Sequence, residues 1–138
     1  MIKKLKDVKF YWDIFSDDYI KSRGGLDALK KDFNLLAGYC DSYYCEQDGD
    51  IVAFGFFIDY NNYYEGCIIP TKYLAKHAKK TIKEMNEFIY SLGKPLETTS
   101  LDDKFIDKWH KMLGMTKIKE HTQIFNGEYH NLWRKEWA

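Results

Sequence analysis

Few side chains in this sequence could do chemistry, and they are dispersed. Four histidines, His77, His110, His121 and His130, are the groups able to exchange protons near neutrality. Cys40 and Cys45 have four residues between them, not a common zinc spacing, and no second Cys or His pair completes four ligands. With Cys67 they form an odd set of three without a framework spacing, which implies thiols in a reducing compartment. There is no serine–histidine–aspartate pattern with a glycine elbow, no Walker loop and no calcium loop. The densest charge follows Pro70, where Lys72, Lys76, His77, Lys79 and Lys80 crowd together. Lysines there could meet an anion as flexible point charges or form a solvated face. Lys72, Lys79 and Lys80 fit the solvated face, while Lys76 and His77, nearest the helix start, suit either role.

The elements that must position these groups follow from periodicity and turn chemistry. Residues 3–11 read as a first strand, followed by helical material broken at Gly24-Gly25. Leu26, Leu29, Phe33 and Leu36 then give a helical stripe ending at Gly38. Asp48-Gly49 joins two strands, 42–46 and 51–58, in a hairpin; the second arm is apolar at nearly every position and should be central. A strand over 63–69 stops at Pro70. Leu74, Ala78, Ile82, Met85, Ile89 and Leu92 form the longest apolar stripe, with Thr71 to cap it and Gly93 to end it. A short extended piece spans 94–100. Asp102 should cap a second helix with Phe105, Ile106, Trp109, Met112 and Leu113 inward, stopped by Gly114. Strands at 117–125 and 128–136, turning at Asn126-Gly127, complete the chain. The expected fold is α+β: one mixed, mainly antiparallel central sheet with helices on both faces, in a single domain over 1–138.

Composition narrows the function classes. The chain has 138 residues, 30% charged, with a mean hydropathy of −0.54. It has no apolar run of the ~18 residues that a membrane span needs, so no membrane association is expected. The basic start Met1–Lys6 leads into no apolar stretch, so no secretory leader is expected. With 11 Tyr, 9 Phe, 4 Trp and only two prolines, the chain packs. Zero net charge argues against a dedicated nucleic-acid binder. Residues 1–69 carry 8 Lys/Arg against 12 Asp/Glu and residues 70–138 carry 13 against 9, so an anionic ligand would favour the second half. The clusters Tyr43-Tyr44, Tyr60–Tyr64 and Trp133–Trp137 exceed what one core absorbs. They could line an acceptor groove or form a homo-oligomer interface.

The element order, with its strand–Pro70–helix junction, resembles the GNAT superfamily of N-acetyltransferases over about residues 42–136. The strand ending Cys67-Ile68-Ile69-Pro70 is similar to the family's fourth strand, Phe105 to Met115 to its late helix, and the Asn-Gly hairpin to its last two strands. The resemblance implies acetyl-CoA as cofactor, wedged between the strand ending at Ile69 and the piece at Leu96–Ser100. Its pantetheine would lie near Cys67, Ile68 and Ile69, and its pyrophosphate at the helix start that carries Tyr73, Lys76, His77 and Ala78. It implies an amine acceptor on a small molecule or protein. His110, four residues before Gly114 where many members carry a tyrosine, would protonate the thiolate. Glu65 or Glu97 would act as general base through water.

The family's pyrophosphate turn carries Arg/Gln-x-x-Gly-x-Gly/Ala, whose backbone N–H groups hold the phosphates. Here the Arg position is Tyr73 and the glycine positions are Lys76 and Ala78, so only the small Ala78 fits. Such an overwritten loop is similar to that of small acetyltransferase-like proteins of T7-like bacteriophages. A phage origin would suit a chain in which 19 of 21 basic residues are lysine. Two readings stand: a cytoplasmic acyl-CoA-dependent N-acyltransferase, or an inactive GNAT-like phage protein acting in virion assembly or host interaction. An unrelated α+β binding module is the third.

Overall fold

The computed structural model describes residues 1–6, 8–125 and 128–136. The elements, in order, are β1 (Ile2–Lys4), α1 (Asp17–Ser22), α2 (Leu26–Tyr39), β2 (Asp41–Gln47), β3 (Asp50–Tyr60), β4 (Tyr63–Pro70), α3 (Ala78–Ser91), β5 (Leu96–Leu101), α4 (Lys104–Met112), β6 (Thr116–Phe125) and β7 (Glu128–Lys135). Short 3-10 turns occupy Trp12–Ile14 and Ala75–His77. The fold is mixed α+β, with four helices and a seven-stranded, mainly antiparallel sheet in the order β1-β2-β3-β4-β5-β7-β6. The order of elements is the expected one. The backbone groups into two compact units, one of residues 1–57 and 68–81, the other of residues 58–67 and 82–138.

In the first unit, β1, β2 and β3 pair antiparallel, with Tyr44 opposite Phe54 and Lys3 opposite Tyr44. Val52, Ala53, Phe54, Phe56 and Phe57 of β3 are all buried, so this strand is covered on both faces as its apolar run requires. Phe33 of α2 meets Phe54 and Phe56 edge-on at centroid distances of 4.9 and 5.2 Å. The expected strand over 3–11 is only three residues long. Phe10, Trp12 and Phe15 instead fold onto Phe33 and Phe54 with ring centroids 4.9 to 5.9 Å apart, and burying those rings outweighs extending an edge strand.

The second unit holds β5, β7 and β6 in antiparallel pairing and the parallel pairs Tyr64↔Leu96 and Glu65↔Glu97 between β4 and β5. Trp133, Leu96 and Leu113 are fully buried here. Two expectations change. Met112 is 45% exposed, not inward. Asp103, not Asp102, caps α4, its Oδ1 accepting the Ile106 N–H at 3.2 Å, because Asp102 is drawn into another cluster. The Phe105 side chain and the Asn126-Gly127 turn lie outside the described residues.

The β2–β3 turn has the conformation its sequence demands. Asp48 and Gly49 have φ of 51° and 87°, the two successive left-handed residues of a tight hairpin. A Cβ at Gly49 would meet nothing within 4 Å, so its cost is conformational alone. Gly49→Ala should therefore lower stability by about 1 kcal/mol, read as a shift of the urea midpoint at unchanged m-value.

Candidate functional site

In the first unit, the chain after β4 turns through Thr71–Leu74 into the 3-10 turn and then α3. Thr71, expected to cap the helix, fastens this turn to β3 instead. Its Oγ1 donates to the Ile51 carbonyl at 2.6 Å and accepts the Tyr73 N–H at 3.2 Å. Five backbone N–H groups of this stretch, those of Thr71, Lys72, Tyr73, Leu74 and His77, are engaged within the chain. Thr71 donates to Val52 O at 3.0 Å, Lys72 to Ile14 O at 2.8 Å, Leu74 to Thr71 O at 3.2 Å and His77 to Leu74 O at 3.1 Å.

His77 is the centre of this region, buried to 8% exposure. Its Nε2–H donates to Asp50 Oδ2 at 2.9 Å, and its Nδ1 lies 3.8 Å from Asp48 Oδ2. Lys76 sits 3.6 Å from Asp50 and Lys80 3.4 Å from Asp48. The hydrogen bond from His77, with the charge of Lys76 assisting, holds the Asp50 carboxyl below its ordinary range. Asp48, which sequence reasoning used only as a turn residue, and Asp50, which it did not use, thus answer Lys80 and Lys76. Tyr73 is half-buried beneath the Lys72 ammonium, 5.5 Å from the ring centroid. Ala78 is half-buried, Ile69 fully buried and Ile68 half-buried.

A pyrophosphate cradle needs unengaged N–H groups and close backbone approach. Here the N–H groups from Thr71 to Leu74 are committed, Cβ atoms stand at Lys76 and Ala78, and two carboxylates sit among the cations. In these respects the turn departs from a pyrophosphate cradle of that kind.

In the second unit, Glu65 and Glu97 stand side by side in the parallel ladder. Glu65 is exposed, while Glu97 is ion-paired to Arg134 Nη1 at 2.6 Å. Arg134 also pairs with Glu136. His110 lies elsewhere, buried at 9% exposure and stacked on Trp133 with centroids 4.9 Å apart. Its Nδ1–H donates to the Ile106 carbonyl at 2.8 Å, and burial pushes its pKa below the ordinary value, so the neutral ring is favoured. Trp133 and Arg134 are consecutive on β7 and face opposite sides of the sheet. His110 therefore covers one face while Glu97, and Glu65 beside it, belong to the other; the three do not converge. On the His110 face, Thr98, Ser100, Asn131 and Trp133 form a buried row, in which Ser100 Oγ and Trp133 Nε1 have no hydrogen-bond partner among the described residues. Cys67 is half-buried.

A second acid–base cluster escaped the sequence reading. β6 bulges between Lys119 and Gln123, and His121 there has φ of 53°. Fully buried Asn131 fixes the bulge, its Oδ1 accepting the His121 N–H and its Nδ2 donating to Asp102 Oδ1, both at 3.1 Å. His121 Nε2–H donates to Asp102 Oδ2 at 2.8 Å. These two hydrogen bonds hold the Asp102 carboxyl below its ordinary range. The bulge sets His130 opposite Gln123, not opposite His121. Among the described residues no group of three His, Cys, Asp or Glu could hold a metal ion.

Two outcomes test these clusters. Asp50, held low in the folded state, stabilises above the unfolded carboxylate pKa of about 3.9 and loses that contribution as pH falls through its folded value. The stability gap between the parent and Asp50→Ala should thus be open at pH 7 and close below about pH 4, followed by urea melts across pH. Asn131→Ala should cost about 1–3 kcal/mol by leaving Asp102 and the His121 N–H short of partners, measured by thermal unfolding.

No protein-family profile matches the sequence, and no curated protein matches it. Solved structures do. The Escherichia coli ribosomal-protein-S18-alanine N-acetyltransferase superposes with a TM-score of 0.67 at 12% identity, covering 100% of this chain and 94% of that one. A GNAT-family acetyltransferase from Bacillus anthracis gives 0.59 at 12% identity, covering 90% and 85%. Salmonella typhimurium yncA, solved with its cofactor acetyl-CoA, gives 0.55 at 14% identity, covering 80% and 71%. The fold of this chain is that of the GNAT acyl-CoA N-acyltransferases.

Proposed function

We propose that this GNAT-fold chain does not bind acetyl-CoA in the family's manner and acts as a non-catalytic interaction or assembly protein. One observation carries the reading: in the turn after β4 the N–H groups of Thr71, Lys72, Tyr73, Leu74 and His77 are engaged within the chain, and Lys76, His77 and Lys80 are answered by Asp48 and Asp50. Bringing a doubly charged pyrophosphate there would require breaking those contacts and setting it beside two carboxylates. The separation of His110 from Glu65 and Glu97 across the sheet supports the same conclusion, as does a buried neutral imidazole where a proton donor was expected. The resemblance of the segment 73–80 to phage acetyltransferase-like proteins agrees with it and would place the chain in a host cytoplasm or a virion. No helix is long and apolar enough to cross a membrane.

A second reading, an N-acetyltransferase of an amine on a small molecule or protein, keeps one specific observation. Ser100 Oγ and Trp133 Nε1 are buried without partners on the face that His110 covers, polar atoms that a bound group would satisfy.

A thermal-shift titration with acetyl-CoA, coenzyme A and 3′,5′-ADP separates the two. A ligand at about 100 times its Kd adds about 2.7 kcal/mol, several degrees in a domain of this size. The proposal expects no saturable shift at millimolar cofactor. A saturable rise with acetyl-CoA overturns it, and a rise with acetyl-CoA but none with 3′,5′-ADP would place the binding away from the closed turn.

A further inference from the structure

Several lysines of this chain are answered internally. Lys76 and Lys80 meet Asp50 and Asp48, Lys94 meets Asp59 at 2.5 Å, Lys117 meets Asp107 at 2.8 Å, and Lys135 donates to Asn86 and to the Leu113 carbonyl. On the outer face of α4, lysines without such partners line a concavity. Lys104, Lys108 and Lys111 recur at i, i+4 and i+7, so they share one side of the helix, and all three are exposed with no acidic partner among the described residues. They line a shallow concavity of about 490 Å³ together with Asp107 and Met112. Asp107 does not neutralise them, because its carboxylate is held by Lys117, which also pairs with Glu120. Met112, 45% exposed at the end of the concavity, adds a pliable apolar contact.

We infer that this face of α4 is a docking site for a short acidic polypeptide segment of a partner protein. Charge complementarity sets the sign, since three unpaired ammonium groups on one rigid helix attract carboxylates and steer their approach. The length of the track sets the class. At 1.5 Å per residue the three lysines span only about 10 Å along the helix. At its N-terminal end the track runs into exposed Asp102 and Asp103, and the next cation after the helix, Lys117, is already paired. A nucleic-acid strand carries its charge on past that distance and would meet those carboxylates. An acidic segment of two or so helical turns, with carboxylates at matching spacing and an apolar residue for Met112, matches both the charge and the break in it. The inference deepens the interaction reading by naming the partner's chemistry, but it stands on α4 alone.

The test is fluorescence anisotropy with a labelled, end-blocked peptide of about 16 residues, helix-forming, with Glu at i, i+4 and i+7 and Leu at i+8. The expected result is saturable binding that weakens as salt rises from about 50 to about 300 mM. Lys104→Glu, Lys108→Glu and Lys111→Glu together should weaken it at least about tenfold, and Met112→Ala several-fold. A control with the same net charge, Lys3→Glu, Lys21→Glu and Lys31→Glu, should bind as the parent does. Absence of saturable binding, an equal loss in the control, or tighter binding of a single-stranded DNA of matched charge would each overturn the inference. A protein that binds this peptide and also acetyl-CoA would sink the non-catalytic reading and leave the docking site standing.

Discussion

A buried imidazole must have its nitrogens satisfied or it destabilises the fold that buries it. His77 is that group, and what satisfies it is a turn far away in sequence. The left-handed pair Asp48-Gly49 lets β2 and β3 reverse within two residues, and this places the Asp50 carboxylate in hydrogen-bond contact with Nε2 of the ring and the Asp48 carboxylate 3.8 Å from its Nδ1. The same short stretch of β3 supplies Ile51 and Val52 carbonyls to Thr71. One tight turn and the three residues after it thus fix how the chain leaves β4 and begins α3. The exposed pairs to Lys76 and Lys80 add little by themselves, since solvent screens them. The buried ring and the threonine hold the geometry.

The start of a helix can present its N–H groups to a ligand or to its own chain, but not to both. Where glycines line such a turn, backbone can approach phosphates and the donors stay open. Here the glycine positions carry lysine and alanine, and Thr71 and the carbonyls of Val52 and Ile14 take up the donors. In this GNAT fold the first donors after β4 are part of the chain's internal structure. Fold and function separate at this point, because a fold fixes where a site would be and side chains decide what it does.

Local rules made the fold legible. The Asp-Gly hairpin, the unbroken apolar run of β3 and the stripes of α2 and α3 each have a local cause, and each is where periodicity put it. What escaped depends on distant partners. Nothing local says that Phe10 and Trp12 will leave a strand for an aromatic cluster, or that Asp102 will give up a cap for Asn131 and His121. The site suffered most for the same reason. Lys76 and His77 could be singled out by their place at the helix start, but the carboxylates that answer them come from a turn almost thirty residues away in sequence. The opposed faces of His110 and Glu97 became visible only once the β5–β7 register was fixed.

Charge shows the same dependence on pairing. Cut at its midpoint, the sequence divides into an acidic and a basic half. Grouped as the backbone packs, the first unit carries 12 Lys/Arg against 10 Asp/Glu and the second 9 against 11, so the imbalance shrinks and changes sign. A sum over a segment therefore says little about what that segment attracts; what matters is which charges remain after internal partners are taken up. Of the crowded cations near β4, Lys76 and Lys80 are answered by Asp50 and Asp48. Three lysines on α4 do not cancel against anything described, although they belong to the unit with the acidic excess. Charge is thus to be counted from the groups left unpaired on one face of an element, not from the densest run of lysine in the sequence.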